Sequence, residues 1–183
     1  VYDFLHGASG RILKQGYPIS GFWSYSFKGL DDATGYPQFN LPGGDTDDPS
    51  DFLLYSGQRD ASFTGGFNTR LRWRSFTFSA DFTALLGAKK RLPNPFSSLE
   101  RLPDPYTNLD RELLNRWKQP GDQTDIPAFY HGGQLPTILL PNGDAQSMYD
   151  MWGNSDIRVV DASFFRCTQM SLTWNASQKS CKK

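Results

Sequence analysis

The chain has 183 residues, enough for one domain with a real core, and its formal charge of +0 gives no electrostatic case for nucleic acid or an anionic membrane surface. Seventeen glycines, twelve prolines and 15% aromatic residues favour strands and irregular connections over helices. No apolar run reaches the ~18 residues of a transmembrane helix, and two cysteines, Cys167 and Cys181, do not make a disulfide framework.

The chain opens on Val1 rather than Met, as a processed product or a piece of something larger would, and VYDFLHGAS at its start reads as a short strand. Residues 14–60 read as a long irregular connection. It carries the aromatic residues Phe22, Trp23 and Tyr25, expected on the surface and able to stack on a sugar ring or a protein lid. Its acidic run GGDTDDPSD places Asp45, Asp47, Asp48 and Asp51 close together, but without the alternating pattern of a calcium-binding EF-hand, so a solvated loop is the default.

Residues 61–87 alternate with period two, the mark of strands with unlike faces. Phe63, Phe67, Leu71 and Trp73 share one face; Asn68, Arg70 and Arg72 share the other. After Trp73 the parity flips, so that Phe76, Phe78, Phe82 and Leu86 alternate with Thr77, Ser79 and Asp81. A two-residue turn at Arg74-Ser75 explains the flip, pairing Trp73 with Phe76, Leu71 with Phe78, Phe67 with Phe82 and Asn68 with Asp81. Strands of about a dozen residues, tilted ~45°, climb roughly 28 Å, the height of the apolar band of an outer-membrane barrel. The polar face would then look into a lumen. A soluble β-sandwich with the apolar face as its core fits the hairpin alone equally well.

Residues 88–157 form a second connection, far beyond the ~15 residues of ordinary loops. Within it TNLDRELLNRWKQPG reads as a short helix, with Thr107 and Asp110 in capping-box spacing, Leu109, Leu113, Leu114 and Trp117 on one side, and Pro120-Gly121 as its stop. Arg116, Trp117, Asp122 and Tyr130 are candidate contacts to a ligand or lid. His131-Gly132-Gly133 suggests an oxyanion-hole turn, but no Gly-x-Ser-x-Gly elbow accompanies it, and two histidines with two distant cysteines give no zinc spacing. No catalytic residue, cofactor or metal is expected. A third strand runs over 158–176, with Phe164, Met170, Leu172 and Trp174 sharing one parity; Arg166 and Cys167 break the pattern, as at a bulge. In an up-and-down arrangement Trp174 ends on the rim occupied by Trp73 and Phe76, where a membrane boundary favours aromatics.

Four stretches, in order, resemble the late barrel of SusC-type (SusC/RagA-like) TonB-dependent outer-membrane transporters: Gly16–Phe39 around GLDDATGYPQF, Tyr55–Phe82 around FTGGFNTRLRWRSFTFSADF, Leu113–Pro127 with RWKQPGDQTDIP, and Ser155–Asn175 with SDIRVVDASFFRC. The resemblance extends over nearly the whole chain. Ala61 departs from the family's usual proline and Cys167 from its usual leucine. What the resemblance implies is an all-β fold, an antiparallel transmembrane barrel segment with 14–60 and 88–157 as long extracellular loops carrying one short helix. Such barrels have about 22 strands and a plugged lumen, so the remaining strands and the plug belong elsewhere in the transporter. It further implies import of oligosaccharides, peptides or similar nutrients, a SusD-like surface lipoprotein as lid, TonB acting through the absent plug, and outer-membrane lipid around the wall. Asn68, Arg70, Arg72, Thr77, Ser79 and Asp81 would face the lumen, bracing the plug or lining the path. The alternative is a soluble β-rich module binding carbohydrate or protein.

Overall fold

Arg74 is the hinge of the longest hairpin. In the computed structural model, which describes residues 14–43, 51–96, 108–130 and 136–175, it is the non-glycine residue with positive φ, +52°. Its guanidinium lies over the Trp73 ring, 5.2 Å from the centroid. The turn is two residues long because Trp73 pairs with Phe76.

In chain order the strands are β1 Gly21–Ser24, β2 Phe27–Leu30, β3 Pro37–Phe39, β4 Leu54–Gln58, β5 Phe63–Trp73, β6 Phe76–Leu86 and β7 Lys89–Arg91. They continue with β8 Thr137–Leu139, β9 Ala145–Ser147, β10 Val159–Asp161 and β11 Phe164–Trp174. Among the described residues one α-helix, α1, spans Met148–Gly153, and 3-10 turns cover Arg111–Asn115 and Asp156–Arg158. No helix among the described residues is long and apolar enough to cross a membrane, which says nothing of crossing by strands. The strand expected in VYDFLHGAS, Asp45, Asp47, Asp48, Thr107, His131-Gly132-Gly133 and Cys181 lie outside the described residues. The chain divides into two compact units, 1–59 with 90–160, and 60–89 with 161–183.

The second unit is an antiparallel sheet in the order β11-β6-β5. Every pairing that the alternation predicted for the hairpin is present: Leu71 with Phe78, Phe67 with Phe82, and Asn68 with Asp81. The pairs share a face, so the ladder sorts apolar from polar side chains along its whole length. Phe63 lies across Gly65, where an added Cβ would sit 2.9 Å from the ring, so glycine is what lets that ring cover the strand. At the turn end Trp73, Phe76 and Trp174 line up across the three strands.

β11 carries a correction. Its register shifts between Cys167 and Gln169, leaving Thr168 as an extra residue whose hydroxyl donates to the Asp81 carbonyl at 3.1 Å. A bulge of one residue reverses the side-chain parity on either side of it. Phe165, not Phe164, therefore joins Met170, Leu172 and Trp174 on the apolar face. Phe165 stacks on Phe82 at 5.4 Å, and Phe82 on Phe67 at 6.3 Å. Cys167, opposite Phe82, falls on that face too, while Arg166, opposite Thr83, moves to the polar one. Once Thr168 is set aside the alternation holds from Phe165 to Trp174, and Phe164, opposite Leu85, is the apolar residue left on the polar parity.

The first unit corrects the expectation of irregular loops. Four short antiparallel pairings organise it, β1 with β4, β2 with β3, β8 with β9, and β7 with β10. Its core gathers Trp23, Tyr25, Phe39, Phe52, Phe96, Leu113, Leu140, Tyr149, Met151 and Trp152, with Trp152 only 1% exposed. Residues distant in sequence close it: Tyr25 bridges Ser155, its N–H donates to the Asn154 carbonyl, and its carbonyl accepts from the Asp156 N–H. Trp152 Nε1 donates to the Asp125 carbonyl at 2.8 Å and the Tyr149 hydroxyl to that of Ala128 at 2.8 Å. Two cations have partners here, Arg158 buried and Arg91 half-buried. Arg158 pairs with Glu112 and lies over the Trp152 ring; Arg91 donates to the Trp23 carbonyl and to Ser24 Oγ. Burial lowers the Arg91 pKa to about 10.

The helix expected after Thr107 is a 3-10 turn, Arg111–Asn115, capped instead by Asp110, whose Oδ1 accepts the Glu112 N–H at 3.0 Å. Leu113 alone of its leucines is buried; Leu109 and Leu114 are 42% and 65% exposed. The turn ends because Arg116 is extended and the Trp117 N–H donates to the Ile126 carbonyl rather than back along a helix.

Candidate functional site

The sheet of the second unit presents two chemically different faces, each open. Phe63, Phe67, Leu71, Trp73, Phe165, Met170, Leu172 and Trp174 are all more than half exposed. Isolated exposed apolar residues are ordinary, but a continuous face of large ones marks an interaction surface. The opposite face carries Asn68, Arg70 and Arg72 from β5, exposed, and Thr77, Ser79 and Asp81 from β6, half-buried. The register places Asn68 opposite Asp81, Arg70 opposite Ser79 and Arg72 opposite Thr77. Ser79 and Ser171 share a hydrogen bond of 2.7 Å across β6 and β11. All six sequence-predicted residues thus stand on one face. The bulge adds a seventh that sequence reasoning missed, Arg166, with its guanidinium 4.8 Å from the Phe164 ring. Among the described residues the three arginines of this face make no ion pair.

The loop candidates divide differently. Trp23 and Tyr25 are 3% and 4% exposed. They are core residues, which corrects their expected place at the surface; the ordered pairing of 14–60 with 88–157 is what covers them. Burial, then the nearby Asp144 and Asp150 carboxylates, raise the Tyr25 hydroxyl to about 12. Phe22 is half-buried beneath the Arg91 guanidinium, and Tyr130 is half-buried against the core. Asp51 is exposed, and among the described residues no group of three or more His, Cys, Asp or Glu side chains is placed to hold a metal.

Arg116, Trp117 and Asp122 come together in one construction. Asp122 Oδ2 accepts the backbone N–H groups of Lys118 and Gln119 at 2.9 and 3.2 Å, closing the KQPGD turn. Thr124 ties it back, its hydroxyl donating to the Asn115 carbonyl at 2.7 Å. The turn is seated on the DDATG bend. There Asp31 Oδ2 accepts from both the N–H and hydroxyl of Thr34, which holds the Asp31 carboxyl below its usual range. Gly35 follows with φ +69°; a Cβ there would lie 2.4 Å from the Trp117 ring, and its carbonyl accepts the Ala128 N–H at 3.0 Å. Two of the family-like motifs thus lock together at a position only glycine fits. Trp117 is the wall between two clefts. One, of about 380 Å³, is lined by Leu30, Asp32, Asp122 and Asp125; the other, of about 210 Å³, by Thr34, Tyr36, Arg116, Lys118 and Phe129.

No family model and no curated protein matches the chain. Solved structures do. The RagAB peptide transporter matches at 22% identity with a TM-score of 0.59, over 91% of this chain and 17% of the matched one. The RagAB peptide importer matches in its closed-closed state at 23% identity and TM-score 0.57, over 91% and 17%, and in its open-open state at 22% and 0.55, over 87% and 16%. This chain therefore spans about a sixth of the length of the chains it matches. The resemblance read from four sequence motifs and the likeness in three dimensions point to one fold: an antiparallel β-sheet segment built like part of the RagAB structures.

Proposed function

We propose that this chain forms part of the barrel wall and outer loops of a TonB-dependent outer-membrane importer of nutrients. The observation that carries the reading is the sheet β11-β6-β5. Its large apolar side chains are open on one face and its arginines, asparagine and aspartate on the other. Eleven-residue strands at ~3.3 Å per residue and ~45° tilt climb roughly 26 Å, matching an apolar band of about 25 Å. Lipid then covers Phe67, Leu71 and Met170. Asn68, Arg70, Arg72, Thr77, Ser79, Asp81 and Arg166 face the lumen, where they brace a plug or border the path of the solute. The first unit lies on the outer side, in reach of a SusD-like lipoprotein, and TonB acts through a plug supplied elsewhere in the transporter. The RagAB neighbours are peptide importers by name, which favours peptides among the nutrient classes. No chemical step is assigned to the chain.

The test exploits depth. Phe67→Lys, at the middle of β5, places a charge on the lipid face near the bilayer midplane and is expected to cost ~2–4 kcal/mol. Arg70→Lys on the opposite face keeps the lumen charge and is expected to be nearly silent. Outer-membrane assembly of the full transporter, followed by heat-modifiable migration in gels, reads both. Equal tolerance of the two substitutions, or a soluble chain with a cooperative melt, would overturn the reading in favour of a soluble β-rich module.

A further inference from the structure

We propose, building on the import reading above, that the cleft between Tyr36 and Lys118 is a binding site for a carboxylate carried on a ligand group of about one residue's size. Three observations converge there. The cleft offers about 210 Å³, space for roughly seven waters at ~30 Å³ each, too small for more than one such group at a time. Two cationic side chains line it, Arg116 and Lys118, and among the described residues no acidic side chain does. Its walls are Tyr36, Trp117 and Phe129, which suit the apolar body of a residue or a sugar ring.

Arg116 is held for the task. Its guanidinium lies 4.1 Å from the Phe129 ring centroid, and Nη1 donates to the Leu113 carbonyl at 3.3 Å. Stacking of this kind fixes a planar fork and leaves other in-plane N–H groups for an anion. Lys118 is exposed and anchored through its backbone alone, by the N–H that Asp122 accepts. Asp122 faces the other cleft, across Trp117, together with Asp32 and Asp125. The turn thus separates its charges, acids on one side of the indole and bases on the other, so the basic cleft is not neutralised by the carboxylate nearest in sequence.

The carboxylate can come from a peptide C-terminus or from a sugar acid, and the experiment distinguishes these. The transporter containing this chain is purified from outer membranes in detergent. Titration calorimetry then compares trialanine with trialanine amide, and galacturonate with galactose; inorganic phosphate is the third anion. Tighter binding of an acid than of its neutral partner supports the site, and whichever pair shows it names the source. Lys118→Ala and Arg116→Gln should each weaken the acid roughly tenfold, the scale of one charge-assisted hydrogen bond, and leave the neutral partner unchanged. Lys118→Ala keeps every backbone contact of the turn, so it stays informative if Arg116→Gln fails to assemble. Equal affinity for acid and neutral partner, phosphate binding as well as the acids, or indifference of the acid to Lys118→Ala would overturn the proposal. A transporter that assembles and imports while showing no acid preference removes this site alone; one that fails to insert in the membrane removes the import reading.

Discussion

The two units use the same large side chains in opposite ways. In the sheet, Phe67 and Trp73 are 64% and 67% exposed; in the loop unit Trp23 and Trp152 are 3% and 1% exposed. The loop unit gathers its rings around Met151 and Leu113 and ties two of them to backbone carbonyls, Trp152 to Asp125 and Tyr149 to Ala128. The sheet spreads its rings in a single layer and offers them no protein partner beyond their strand neighbours. A chain that folded under one rule, apolar groups away from water by mutual contact, would not do both. On the import reading proposed above, two solvents account for it: water around the loop unit, and hydrocarbon against the sheet.

The contrast is sharpened by substitutions made in parallel in the full transporter. Trp152→Ala has the largest expected effect, ~3–5 kcal/mol, because it empties a site closed on all sides, strands the Asp125 carbonyl and takes the ring from under the Arg158 guanidinium. Loss of protease resistance in residues 14–60 and 88–157 would register it. Gly35→Ala comes next, at ~1–3 kcal/mol, since it combines a left-handed backbone with a Cβ against Trp117; the amide of Ala128 should lose its protection from hydrogen exchange. Phe82→Ala should cost less than ~1.5 kcal/mol, the value of its ring stacking, because a lipid chain fills the space it leaves. If Phe82→Ala proved as damaging as Trp152→Ala, the distinction between a lipid-covered and a protein-covered face would fail. The smallest effect concerns pH. The folded carboxyl of Asp31 titrates below the ordinary ~3.9. Between those values the unfolded bend binds more protons, so the contribution is complete above ~3.9 and lost as pH falls through the lower, folded value. Exchange of the Thr34 amide should accelerate across that window, and Asp31→Asn should remove the dependence.

The same contrast explains what was legible in the sequence. The hairpin could be paired residue by residue because its signal is local, a period of two interrupted once by a tight turn, and neighbours in the ladder are close in the chain. The polar face followed from it, with Asn68 against Asp81. Arg166 escaped because a bulge leaves no composition of its own; its trace was the break in parity at Arg166-Cys167, and the cure was to count Thr168 as extra. The burial of Trp23 and Tyr25 escaped for another reason. Their ring neighbours, Tyr17 and Tyr55 for Trp23 and Phe39 and Phe52 for Tyr25, lie within about thirty residues but at no helical or strand spacing, and the backbone of Tyr25 is closed more than a hundred residues later, at Asn154–Asp156. The TNLDRELLN stretch has the spacing of a helix but leaves it after one 3-10 turn, because Trp117 is claimed by Ile126 and Gly35.

Thr168 has one further consequence. Strike it out and the ladder closes up by a single step: Phe165 and Cys167 swing to the polar face while Arg166 is driven among the exposed rings. Its side chain is dispensable to that arithmetic, since alanine or serine would keep the count. What evolution must preserve at this position is the number of residues, so a deletion here should harm the wall more than any replacement.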